Sequence, residues 1–231
     1  MNQKMKPKHW SYIFLAVVAG YFAGMAISND VLLLIFKPLL VTSLLGYFIS
    51  STIQVSSTLK KWIIGALLFS IAGDTLLMFA NNNELFFILG LIAFLIAHIF
   101  YIVCFHTIRT KEGITGKWYA AIIVAVYYFL IINFLLPHLG GLKYAVIIYG
   151  LVISFMLLIA MHLYDLKDNL TARYILTGAI LFVVSDSVLA INKFYQPYTW
   201  GGWAIMITYT MAQWLLVKGC VRYILGNKPA E

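Results

Sequence analysis

The run "WIIGALLFSIAGDTLLMFA", Trp62–Ala80, decides the fold. It is long enough to cross a hydrocarbon core, which takes about 20 apolar residues. Its one acid, Asp74, lies well inside. Alternation of polar and apolar residues, the mark of a membrane β-strand, is missing, so the segment reads as a helix. The chain as a whole repeats the pattern. Of its 231 residues 63% are hydrophobic and 10% charged, and mean hydropathy is +0.92. A water-soluble domain carries roughly a quarter of its residues charged. The solvent for most of this chain is therefore lipid.

Eight such runs predict an all-α, polytopic bundle of eight transmembrane helices. They are Trp10–Ile27, Val31–Ser50, Trp62–Ala80, Leu85–Phe105, Trp118–Leu136, Leu142–Leu163, Arg173–Tyr195 and Thr199–Tyr223. The breaks are short and turn-like: "SND" at 28–30, "NNNE" at 81–84, "PHLGG" at 137–141 and "QPYT" at 196–199. No linker divides residues 1–231, so a single integral membrane domain is expected. The first run follows a basic leader, but it exceeds the 7–15 apolar residues of a signal peptide. It reads as a retained helix.

Net charge is +8. The basic residues fall in the breaks, with no basic stripe interleaved with aromatics, so topology rather than nucleic acid accounts for them. Threading eight spans puts Lys4, Lys6, Lys8, Lys60, Lys61, Arg109, Lys111, Lys117, Lys167, Arg173, Lys218, Arg222 and Lys228 on one side. Lys143 and Lys193 fall on the other. Positive residues mark the cytoplasmic side. Both termini are expected there, in a multi-pass protein of the cell membrane. Trp10, Trp62, Trp118 and Trp200 stand at span ends as interfacial anchors. Cys104 and Cys220 read as small packing residues.

Of the eight acids, Asp30, Glu84, Glu112, Asp165, Asp168 and Glu231 fall in loops or the tail. Only Asp74 and Asp186 lie well inside spans. A charge at mid-bilayer costs about 2.5–3.5 kcal/mol on insertion scales, so such a residue is a functional candidate. The two share a context: "GALLFSIAGD" at 65–74 and "GAILFVVSD" at 178–186. The likeness suggests a parallel repeat of four plus four spans. At 1.5 Å per residue, Asp74 and Lys37 sit roughly 9 Å, and Asp186 roughly 13 Å, from the outer span ends. Tyr149 lies at a similar depth. Structural readings stand beside the functional ones: Lys37 reaching up to the interface, the acids bonding Ser70, Ser185 or a tyrosine, His98 and Gln213 linking helices by hydrogen bonds, and Tyr101 and Tyr209 as core aromatics with satisfied hydroxyls.

His9, His106 and His162 lie at the inner rim and His138 in an outer loop. Zinc needs converging His, Cys or carboxylate ligands. "SIAGD" at 70–74 gives only an S-x-x-x-D fragment, so no metal is expected. No glycine-rich phosphate loop and no G-x-S-x-G occur.

The motifs "FKPLL" (36–40), "SIAGDTLL" (70–77), "GLIAFLIAHIFY" (90–101), "GAILFVVSDSVLA" (178–190) and "YTMAQWLLVKG" (209–219), in that order, resemble the YhhN family of multi-pass membrane proteins. The resemblance implies an eight-helix enzyme that hydrolyses the vinyl ether bond of lysoplasmalogen, releasing a fatty aldehyde and a glycerophospho-alcohol. It implies Asp74 and Asp186 as the catalytic pair. Lys37, His98, Tyr101, Tyr209 and Gln213 fall on the family's other recurrent polar positions.

Two buried carboxyls suit that chemistry. An enol ether hydrolyses when its β-carbon is protonated and water captures the oxocarbenium ion. Burial and a neighbouring carboxylate keep one carboxyl protonated as general acid, while the other stabilises the cation. Glycosidases divide labour in the same way. Lys37 keeps its nearest acid ionised or binds the lipid phosphate. The expectation is Asp186 as acid and Asp74 as stabiliser, with no cofactor, Ser70, Tyr149 and Ser185 as supports, and a lipid as substrate. The alternative is a proton-coupled transporter or carrier of a small or lipidic solute, since intramembrane carboxyls also serve proton relays.

Overall fold

In a computed structural model of the chain, residues 6–80 and 83–227 are described. Lys4, Asn81, Asn82, Lys228 and Glu231, named above, lie outside them. Lipid offers the backbone no hydrogen-bond partner, so apolar runs of this length satisfy their peptide groups internally as helices. Eight α-helices form: α1 (Pro7–Ala26), α2 (Asp30–Thr52), α3 (Leu59–Leu77), α4 (Glu84–Lys111), α5 (Trp118–Leu135), α6 (Lys143–His162), α7 (Asn169–Ala190) and α8 (Gly201–Gly226). No strand occurs among the described residues.

Among the described residues, seven helices are long and apolar enough to cross a membrane. The exception by composition is α3. Its 19 residues hold Lys60 and Lys61 at one end and Asp74 near the other. It also ends at Leu77, three residues earlier than its apolar run. Asp74 is therefore about 4.5 Å from the helix end at the α-helical rise, shallower than the roughly 9 Å read from the sequence. The apolar run continues through a turn, which hydropathy does not distinguish from helix.

Local signals set the other ends. The Asn29 side chain accepts from the Leu32 N–H (3.1 Å) at the start of α2, and Asp168 accepts from Leu170 N–H (3.2 Å) at the start of α7. Such caps satisfy the otherwise orphaned first N–H groups. Lys60 Nζ donates to the Thr52 and Val55 carbonyls (2.9 and 3.2 Å), neutralising the negative end of α2. Gly113, at φ +63°, stops α4 in the left-handed conformation that glycine adopts freely. Within the helices, Thr42, Thr75, Thr107 and Thr208 donate back to the carbonyl four residues earlier. That bond lets a hydroxyl sit in lipid without a distant partner.

The helices fall into two compact units. One holds the chain up to Phe100 together with the chain from Cys220; the other is Tyr101–Gly219. The helices α4 and α8 contribute to both. In the first unit α1 packs on α2 and α2 on α3. Here α3 approaches α4 through small residues: a Cβ on Gly73 would lie 2.6 Å from the Phe94 ring, and one on Gly65 2.7 Å from Phe100. In the second unit α5 packs on α6 and α6 on α7, while α7 meets α8 through Gly178 and Gly219. Small residues at such contacts bring helix backbones together. Cys104 and Cys220 are buried thiols, as their apolar settings suggest.

A Cβ on Gly178 would lie 3.0 Å from the Leu216 backbone nitrogen, whereas one on Gly141 meets nothing within 4 Å. Gly178→Val is expected to cost about 1–3 kcal/mol by overpacking. Gly141→Ala stays within about 0.5 kcal/mol of wild type. Thermal unfolding in detergent checks both; equal midpoints for the two variants contradict the α7–α8 contact.

Candidate active site

Each intramembrane acid is placed by a helix whose apolar surface would otherwise face lipid or a neighbour. Asp74 lies in the last turn of α3, 2% exposed. Ser70, one turn earlier on the same face, is fully buried. The field of the Asp74 carboxylate reaches two groups on other helices: the partly buried Lys37 ammonium on α2 and the buried Tyr21 hydroxyl on α1. Lys37 stands seven residues into α2, about 10 Å from its start. Pro38 follows it without ending the helix. His98, fully buried on α4, belongs to the same unit. Tyr21 was not among the residues expected from sequence. A tyrosine inside an apolar run reads as a core aromatic, and only its azimuth makes it a partner.

Asp186 lies four residues from the end of α7, partly buried. Tyr149 on α6 donates its hydroxyl proton to Asp186 Oδ2. This is the tyrosine partner anticipated at that depth. Ser185 faces elsewhere and donates to the Ile205 carbonyl on α8 (3.0 Å), so it ties two helices together. The next residue, Ser187, lies 2.6 Å from the Tyr127 hydroxyl on α5 and donates to the Val183 carbonyl at 2.5 Å. Both Tyr127 and Ser187 were missed. The "SDS" sequence at 185–187 held the only hint, since a hydroxyl beside a buried acid can serve it. A cavity of about 40 Å³ lies here, with Asp186, Tyr127, Tyr149 and Ser187 on its wall among Ile131, Ile153 and Val183.

A third polar group joins α4 to α8. Tyr101 donates to Gln213 Oε1 (3.0 Å), and Gln213 Nε2 donates to the Tyr209 oxygen (3.2 Å). All three side chains are buried, and Tyr209 sets its ring edge-on against Phe182. Satisfying one another is what polar side chains in such surroundings must do. Gln213 links two helices through Tyr101, and both tyrosine hydroxyls are satisfied within the core. Among the described residues, no three His, Cys, Asp or Glu side chains converge as a metal site requires.

The architecture is that of a polytopic helical membrane protein with one carboxyl and its partners in each of two units. The YhhN family model matches residues 32–220, and this chain belongs to the YhhN family. Among curated relatives, Lysoplasmalogenase TMEM86A of Bos taurus is 31% identical over 73% of this chain and 68% of its own length. Lysoplasmalogenase TMEM86B of Mus musculus is 31% identical over 71% of this chain and 65% of its own. A Lysoplasmalogenase of Mycobacterium bovis is 29% identical over 69% and 60%. No solved structure matches the chain significantly.

A cation and a carboxylate buried within reach of each other's fields lose more when one is removed than when both are. Lys37→Met and Asp74→Asn are each expected to destabilise. The double variant should be less destabilised than their sum, with a coupling of about 0.5–3 kcal/mol. Denaturant titration of the four proteins measures it, and strictly additive losses contradict the pairing.

Proposed function

We propose that this chain is a membrane-embedded hydrolase that cleaves the vinyl ether bond of lysoplasmalogen-type lipids, releasing a fatty aldehyde and a glycerophospho-alcohol. The observation that carries the reading is the match to the YhhN family over a stretch that contains Lys37, Asp74 and Asp186, with curated relatives named lysoplasmalogenases. Eight spans with both termini in the cytoplasm, in one integral domain of the cell membrane, are part of the proposal. Its support is the distribution of Lys and Arg among the breaks.

The two acids stand in different company, and that difference supports giving them different roles. Asp74 lies within electrostatic reach of the Lys37 side chain on α2. Asp186 is met by the neutral hydroxyl of Tyr149. Asp186 accepts from Tyr149 and, in this reading, carries the catalytic proton. Asp186 delivers this proton to the β-carbon of the enol ether, and the electron pair of the double bond forms the new C–H bond. The positive charge then resides on the α-carbon and ether oxygen, and the role proposed for the Asp74 carboxylate is to stabilise such a cation. Water adds to the α-carbon and returns a proton to Asp186. The hemiacetal collapses to aldehyde and alcohol. As the C–O bond of the hemiacetal breaks, its hydroxyl proton passes to the departing glyceryl oxygen, and each acid ends in the state in which it began.

In detergent and D₂O, with no gradient, the wild-type protein is expected to convert a lysoplasmalogen to aldehyde bearing one deuterium beside the carbonyl. Asp74→Asn and Asp186→Asn each lower kcat by about 100-fold or more, the scale of a lost general acid. Mass spectrometry of rapidly trapped aldehyde reads both quantities. Undiminished turnover in both variants rejects the pair. Gradient-driven lipid uptake into vesicles without aldehyde favours a carrier instead.

A further inference from the structure

The small cavity beside Asp186 has a polar wall of unusual character. Tyr127, Tyr149 and Ser187 each own one hydroxyl proton. Ser187 donates its proton to the Val183 carbonyl. The 2.6 Å bond between Ser187 and Tyr127 must therefore carry the Tyr127 proton. Tyr149 gives its proton to Asp186. All three hydroxyl protons are committed to the wall itself. With their protons so committed, the hydroxyls of this wall present lone pairs to the cavity, and most of the remaining lining is apolar.

At about 40 Å³ the cavity has space for water, which needs about 10–15 Å³ by the same measure. A water held by acceptors alone directs both hydrogens at the wall and turns its lone pairs inward. That is the orientation a nucleophile needs. A hydroxide or an anion is disfavoured by the same wall.

We propose that this cavity binds and orients the hydrolytic water, with Tyr127 and Ser187 as its positioning residues and Asp186 as the base that takes its proton. The inference rests on the vinyl ether hydrolase reading. It assigns the second half of that reaction to a particular place in the fold, among α5, α6 and α7. The water oxygen bonds to the α-carbon of the oxocarbenium ion. One of its protons passes to the Asp186 carboxylate, which had given its own to the β-carbon, so the acid is regenerated. The field of Asp186 reaches the Tyr127 hydroxyl, which keeps the positioning pair electrostatically linked to the base.

The consequence is specific. Without a positioned water, the oxocarbenium ion survives long enough to give a proton back to Asp186. In D₂O the returned enol ether then carries deuterium at its β-carbon. Tyr127→Phe and Ser187→Ala, assayed in detergent with a lysoplasmalogen, are expected to lower kcat by about 10- to 100-fold, the weight of a hydrogen bond to a charged group. KM should be nearly unchanged, and recovered substrate should be deuterated in the variants and undeuterated with wild type. A purely structural loss lowers turnover without exchange. Wild-type turnover in both variants, or reduced turnover with undeuterated substrate, overturns the water site. Absence of aldehyde from the wild-type chain overturns the hydrolase reading itself.

Discussion

A carboxyl group inside a lipid-embedded helix has to be answered at its own depth. Left alone it costs a few kcal/mol, a large part of the margin by which any fold is stable. Asp74 is answered by the Lys37 ammonium and the Tyr21 hydroxyl, from α2 and α1. Asp186 is answered by Tyr149 from α6, with Tyr127 of α5 inside its field. Each acid therefore recruits groups from two other helices. The close approaches through Gly73 and Gly178 serve the same end, because α3 and α7 must seat firmly before a partner can be placed to within a bond length.

The difference in company between the acids links structure to chemistry. Enzymes that run acid and base chemistry on two carboxyls rely on environments that differ between them. The surrounding residues are mostly apolar, which strengthens each electrostatic contact and excludes bulk water. Water then has to be admitted deliberately. The acceptor-lined cavity beside Asp186 does so in one place, next to the group that needs it.

Much of this was legible in the chain. Uninterrupted apolar runs gave eight helices within a few residues of their observed ends, because lipid leaves a buried backbone no other regular form. The two acids stood out for the same reason. Depth was less secure. The run ending at Ala80 hid the turn after Leu77, so Asp74 lies nearer its helix end than spacing suggested. Side-chain direction was legible only in part. Tyr149 was expected beside an acid and is, whereas Ser185 points to the Ile205 carbonyl and its neighbour Ser187 lines the cavity. Tyr21 and Tyr127 escaped notice because aromatic rings are abundant in such helices. Nothing in a run of apolar letters marks which hydroxyl turns inward.

The account stands or falls on the protonation of the two acids. Infrared absorption of the purified protein in detergent at neutral pH reads it directly, through the carbonyl stretch of a protonated carboxyl and its shift in D₂O. The account predicts such a band in the wild-type protein, its persistence in Asp74→Asn and its loss in Asp186→Asn. A band that disappears with Asp74 and survives the loss of Asp186 contradicts it.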